Sequence, residues 1–324
     1  MDTELVIRTL SSVLAQSAPL IFAGVGEAIT EKAGVINLSL DGSILLSAMG
    51  GFAVAYLTGS VTLGLVAAMI IGALVALIIA FASIQLRQDQ VAIGFVLSLL
   101  CTELSSFLGN PFVRKPGPSV PHQPIPILSD IPVLGEIFFS HNVLIYASFA
   151  LVFVTWFWMF RTQSGLRLQG IGERPHAAFA RGINVNRMRY AYTILGGALV
   201  GAGGAAYSLS VKLGWSHRHT AGNGWIALAI VIFGGWHPMR VAFGAYLFGA
   251  LKSLGSILQR VVPGVPTQVF QTAPFALMII ALLLVTSEAL DRVTAHLPPR
   301  ITRAVTSALR GSPPESLGTV FSRE

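Results

Sequence analysis

Apolar runs long enough to cross a membrane recur along almost the whole chain, and that pattern decides what it can fold into. A span needs roughly 20 predominantly apolar residues. Such runs are predicted near 5–26, 36–58, 61–84, 90–109, 142–160, 188–210, 222–235, 238–258 and 268–287. They are continuous rather than alternating, which excludes an outer-membrane barrel. Only 11% of the residues are charged, against about 25% in a soluble domain. The fold class is therefore all-α polytopic, with about nine transmembrane segments. The seventh run ends in "FGGWHP" and is too short to cross alone, so broken or half-length helices are expected.

The net charge of +7 is placed for topology rather than for nucleic acid. Six arginines and one acid, Glu173, lie between Arg161 and Arg189, and further arginines follow Ser287. The positive-inside rule holds both segments in the cytoplasm. The loops at 110–141 and 211–221 then lie outside, as does the amino terminus. The proline-rich 110–141 loop reads as an ordered pore mouth or as a docking surface for an external partner. Residues 1–290 form one transmembrane domain, and 291–324 a cytoplasmic tail expected to be partly disordered. No cleavable signal peptide is evident, so the first span serves as its own insertion signal. The lone Cys101 allows no disulfide within the chain.

Polar residues inside this apolar background are the informative ones. "EKAGVINLSLDGSIL", residues 31–45, breaks the pattern between two spans. Unsatisfied backbone cannot face lipid, so a break at membrane depth lines a cavity or is buried in protein. Gly34 and Gly42 permit the break, and Asn37, Ser39 and Asp41 supply donors and acceptors for a solute path. The competing reading puts Glu31 and Lys32 in a cytoplasmic turn, with Asp41 capping the next helix. Two further intramembrane charges, Glu103 and Lys252, either pair with each other or each face the cavity. "WFWMF", Trp156 to Phe160, reads as an interfacial aromatic belt.

Enzymatic signatures are missing. No Gly-x-x-x-x-Gly-Lys-Ser/Thr is present for a nucleotide. "SHRHT" offers two histidines without further metal ligands and reads as a surface loop. "GGALVGAGGAAYS" lies within an apolar helix, where Gly197, Gly201 and Ala205 suit close helix packing.

In "RTQSGLRLQGIGERPHAAFARGINVNRMRY", Pro175 suits a first helical turn and Gly182 a helix end, with Asn186 as N-cap of the following span. A short capped helix between them, His176 to Arg181, is either a connector or a knob for a partner's groove.

Three stretches together resemble ABC-importer permeases of the ribose, nucleoside and branched-chain amino acid type. They are "GIGERPHAAFARGINVNRMRY", "EKAGVINLSLDGSILLSA" and "TAGNGWIALAIVIFGGWHPMRVAFGAYLFG", in the family's order, and the likeness covers roughly residues 19 to 285. The chain departs from the nucleoside-permease form at Ser39, where glycine is common, and Asp41, where glutamate is common. The resemblance implies a non-catalytic permease subunit in a bacterial inner membrane, surrounded by lipid, with no cofactor of its own. It implies a second permease subunit or second copy, an external solute-binding protein, and a cytoplasmic ATPase that uses ATP. That ATPase would grip a coupling helix involving Glu173, Pro175, Ala178, Phe179, Arg181 and Gly182. The solute implied is a nucleoside, with riboflavin or a simple sugar as alternatives. A stand-alone secondary transporter is the reading from another class, and it would need more intramembrane carboxylates than Glu103 and Asp41.

Overall fold

The computed structural model of the protein describes residues 3–220, 222–262 and 311–322, with scattered positions between 264 and 280. The described residues form α1 (Thr3–Lys32), α2 (Leu40–Thr58), α3 (Val61–Ala80), α4 (Gln90–Gly109), α5 (Val143–Arg161), α6 (Gln163–Glu173), α7 (Pro175–Ala180), α8 (Val185–Ala206), α9 (Asn223–Phe233) and α10 (Pro238–Val261). Wider π-helical turns prolong α3 to Gln85 and α8 to Val211. Seven of these segments are long and apolar enough to cross a membrane; α9 is the shorter apolar helix among them. The expected span at 268–287 falls largely outside the described residues.

Helix boundaries follow local capping chemistry. Asp89 accepts from Ala92 N at 2.7 Å, Asn142 from Leu144 N at 3.1 Å, and Thr162 from Gly165 N at 3.2 Å, each satisfying an otherwise orphan first-turn amide. The cap of α8 is Asn184, which accepts from Arg187 N at 3.1 Å, and not the expected Asn186.

α8 is the pillar of the bundle, and its glycines let three neighbours approach backbone to backbone. A Cβ at Gly201 would collide with the Ala68 carbonyl of α3, and one at Gly196 with Thr30 and Gly26 of α1. Gly204 meets the Ile44 carbonyl of α2. This is the small-residue packing expected at Gly197, Gly201 and Ala205.

The same contacts supply a depth scale. Arg189 lies beside Gly34, while Gly204 lies beside Ile44 and Ala48. Fifteen helical residues separate Arg189 from Gly204, about 22 Å, of which the long Arg189 side chain and the first turn of α2 span part. Residues 35–39 therefore climb from the inner end of α1 toward mid-membrane in non-helical backbone, and α2 starts at depth. Gly34, at φ +92°, makes the turn that begins this climb. Gly42 does not take part in the break. It lies within α2, where a Cβ would collide with the Ser98 carbonyl of α4.

Within the tail expected to be partly disordered, residues 311–322 pack against the bundle. Arg189 Nη1 donates to Thr319 O at 2.7 Å, and Gly318 N donates to Gly34 O at 3.1 Å. Phe321 is buried in the main core cluster.

Candidate functional site

Two interrupted helices meet around one carboxylate. α2 rises from the break toward the outer face, and α9 starts at the same depth and descends to the inner side. Asp41 Oδ1 accepts from Gly224 N, in the first turn of α9, at 3.0 Å. The two N-termini approach so closely that a Cβ on Gly224 would collide with the Asp41 backbone. The positive ends of two helix dipoles converge there, an arrangement that favours an acidic or electron-rich group. Asp41 thus reaches across to α9 instead of capping α2, whose N-cap position is Ser39.

Asn37 and Ser39 act behind it. Asn37 Oδ1 accepts from Ser39 N at 3.1 Å and from Ser39 Oγ at 2.7 Å, and Ser39 Oγ lies 2.9 Å from Ser43 Oγ. Both residues are buried, at 1% and 0% exposure, so they stitch the break together rather than line open space. Of the four expected path residues, Asn37 and Ser39 are buried, Asp41 is partly exposed and Glu103 is exposed. The non-helical amides are otherwise satisfied by Gln90 Oε1, which accepts from Ile36 N at 2.7 Å, and by Glu27 Oε1, which accepts from Asn37 N at 3.3 Å.

Glu27 and Glu31, one turn apart on α1, are both buried. Trp236 Nε1 donates to Glu31, fastening the break to the turn between α9 and α10, where Trp236 itself sits at φ +57°. This removes the reading of Glu31 as part of a plain cytoplasmic turn. Glu27 escaped the sequence reading because it sits beyond the predicted end of the first span. Its spacing of four from Glu31 was the available signal.

Of the two readings of Glu103 and Lys252, the ion pair between them is not formed. Glu103 takes Arg218 Nη2 at 2.6 Å, and both side chains are well exposed. Lys252 Nζ donates to Asn223 Oδ1 at 2.6 Å and to Tyr207 Oη at 2.9 Å. Tyr207 and Asn223 come from chain positions that the sequence reading assigned no role. They place a cation, an amide and a phenol immediately beside the Asp41–Gly224 contact. Next to it, Phe95 of α4 and Trp225 of α9 form a tilted aromatic pair at 6.3 Å, both exposed. Above, His219 is half-buried rather than a free surface histidine. Burial pushes its pKa down to about 4, with Lys212 adding to the fall against a hydrogen bond with Ser216 O. Among the described residues no three His, Cys, Asp or Glu side chains converge as metal ligands would.

The second candidate region is the inner loop. α6 and α7 are separated by Arg174 alone, and Gly182 closes α7 at φ +83°. Pro175 stands at the first turn as expected. Ala178 is buried and lines the base of the cleft between α6 and α7. Phe179 and Arg181 stay exposed. Glu173 lies 3.7 Å from Lys32, linking the end of α6 to the end of α1. Leu166, Arg167, Arg174 and Arg181 rim a cleft of about 430 Å³ between α6 and α7, apolar at its base and basic at its edge.

A family described as branched-chain amino acid transport system / permease component matches residues 9–282. The nucleoside ABC transporter permease protein NupC of Lactococcus lactis is 34% identical over 303 residues, 88% of this chain and 95% of that one. The guanosine ABC transporter permease protein NupQ of Bacillus subtilis is 36% identical over 288 residues, 84% of this chain and 89% of its own. A Haloferax volcanii protein, provisionally named a glucose ABC transporter permease, is 39% identical over 249 residues, 76% of each chain. No solved structure matches. Seven membrane-competent helices, a re-entrant break and an inner capped helix agree with these matches: the chain belongs to this permease-component family and is the membrane-spanning permease subunit of an ABC transporter.

Proposed function

We propose that the chain forms half of the pathway of an ATP-driven importer for a nucleoside-like solute. The observation that carries this reading is the meeting of the α2 and α9 N-termini at Asp41. Sites for transported solutes are commonly built where helices are interrupted at depth. Asp41, Asn223, Lys252 and Tyr207 offer acceptors and donors suited to ribose hydroxyls, with Asn37 and Ser39 holding the backbone behind Asp41. The exposed Phe95–Trp225 pair suits the face of a base. The relatives named for nucleosides and guanosine favour the same solute class.

Transport is driven from the inner side. A partner ATPase grips the α6–α7 cleft, placing acidic groups against Arg167, Arg174 and Arg181 and an apolar contact on Phe179. Closure of two ATPases displaces the α7 helices, and the bundles exchange outward and inward openings because each state is biased differently by the bound partner. A second permease subunit supplies the other half of the pathway, and an external binding protein delivers the solute. Glu103, paired on the chain's surface with Arg218, belongs to the outer rim of that pathway. A simple sugar is the second reading, favoured by the Haloferax relative.

Uptake of labelled guanosine, uridine and glucose by cells carrying the whole transporter tests the site. Asp41→Ala is expected to lower nucleoside uptake about tenfold, the loss of one charge-assisted hydrogen bond, while the ATPase still co-purifies. Asp41→Asn, which keeps an acceptor for Gly224 N, should fall between. Unchanged uptake by Asp41→Ala sinks the site, and uptake of glucose alone moves the assignment to the sugar reading.

A further inference from the structure

The ordered tail touches every inner element that the proposed mechanism requires to move. It begins at Gly311, seated against Gly235 in the α9–α10 turn. Ser316 then caps the end of α6: its N donates to Gly172 O at 2.9 Å, and its Oγ donates to Gly172 O at 2.6 Å and Ile171 O at 3.2 Å. These are the final carbonyls that a helix leaves without partners. Glu315 N donates to Glu173 Oε2 at 3.3 Å. Two residues past Ser316, Gly318 turns at φ +75° and donates to Gly34 O, the first turn of the helix break. Finally Phe321 packs on α7, with ring centroids 5.0 Å from His176 and 5.6 Å from Phe179.

Arg189 locks this arrangement. It is 1% exposed and has no ion pair among the described residues. Its guanidinium is held by Thr319 O and by Ser316 Oγ, at 2.7 and 3.0 Å, so the tail supplies what stabilises a buried cation. A buried charge without compensation is costly. The same guanidinium fills the space a Cβ would need at Gly34. Break, pillar and tail therefore share one contact.

We propose that residues 314–321 are a coupling strap: fastened to α7 by Phe321 and to the break by Gly318 and Arg189, they carry displacement of the coupling helix to Gly34. This inference rests on the reading of α7 as the ATPase's grip. Without the strap, α7 reaches the pore through Arg174 and α6 on one side and α8 on the other. With it, α7 has a direct third route to the backbone turn that sets where α2 begins. Arg189, Ser316, Gly318 and Phe321 are positioning residues, since none of them meets solute.

The test uses the complete transporter reconstituted in liposomes, with solute uptake and ATP hydrolysis measured on the same preparation. Phe321→Ala and removal of residues 312–324 are expected to leave the ATPase bound and hydrolysing. Solute moved per ATP should fall about fivefold or more, the lower end of measured coupling between sites. Arg189→Ala should do the same, and Arg189→Lys, which retains a buried cation and donors, should recover part of the loss. Unchanged solute per ATP in the truncated and Phe321→Ala transporters overturns the strap. Loss of the ATPase from both also overturns it, making the tail part of the ATPase seat instead. Phe179→Ala separates the two levels: if that variant retains full ATPase binding and uptake, the reading of α7 fails and the strap falls with it.

Discussion

α8 and α4 are both apolar helices that cross the same bilayer, yet they are used in opposite ways. In α8, prolonged to Val211, 67% of the most apolar stretch is buried within the chain, while the corresponding figure for α4 is 22%. The difference lies in side-chain size. α8 is built on Gly196, Gly197, Gly201, Gly203 and Gly204, and α4 displays Val96, Leu99, Leu100, Phe107 and Leu108 outward. Lipid tails are as apolar as leucine, so hydrophobicity does not sort inside from outside in a membrane. Close approach of backbones does. α4 obeys this rule at its seam with the break and α2, where Gly42 and Gly94 admit the Ser98 and Leu38 backbones.

The contrast can be broken most forcefully at Gly201. Gly201→Leu drives a side chain into the Ala68 backbone and should cost about 3 kcal/mol or more. The readout is loss of the monodisperse chain in detergent; a normally folded variant would refute α8 as the pillar. Gly42→Ala, at the α2–α4 seam, should cost about 1–3 kcal/mol by the same overpacking, read as a lowered unfolding temperature. The loop from α8 to α9 joins the two regions and responds to acid. His219 has a folded pKa near 4 against an ordinary 6.5, so the unfolded chain binds more protons between those values. Its contribution is complete above pH 6.5 and drains away as pH falls toward 4. Faster hydrogen exchange over 212–222 in that window, abolished by His219→Gln, is the expected result. Separating Glu103 from Arg218 by Glu103→Gln should cost only about 0.2–1 kcal/mol, because both groups are exposed. The smallest effect belongs to Leu100→Ala on the outer face of α4, within about 0.5 kcal/mol in the isolated chain. A larger drop in the assembled transporter would mark that face as the seam with its second permease.

Much of this architecture was legible in order along the chain. Continuous apolar runs announced the spans, Gly34 the break, the shortness of the seventh run the half-helix, and Pro175 with Gly182 the short helix α7. Each is a local signal, carried by backbone chemistry within a few residues. What stayed hidden was pairing over distance. Asp41 and Gly224, Lys252 and Tyr207, and Arg189 and Thr319 are joined only by the packing of the bundle. Glu103 and Lys252 illustrate the limit, because opposite charges in the spans left pairing and separate roles both open, and geometry chooses neutral partners for Lys252. The contacts of the tail over 311–322 stayed hidden for a related reason. Its polar composition resembles a solvated end, and its order comes from Arg189, Gly34 and Gly172 elsewhere in the chain.

The contact between Asp41 and Gly224 spans 183 positions of sequence, and that separation bears on how the protein is made. A ribosome delivers Asp41 and the climbing segment 35–39 to the membrane long before α9 exists. α9 is about 16 Å long, too short to insert by its own hydrophobic length, so it needs the waiting surface of α1 and α2. The first half of the chain must stay open, with a carboxylate lacking its donors, until the second half arrives. The two interrupted helices therefore close on each other only once Asn223 and α9 have been made, late in synthesis of the chain.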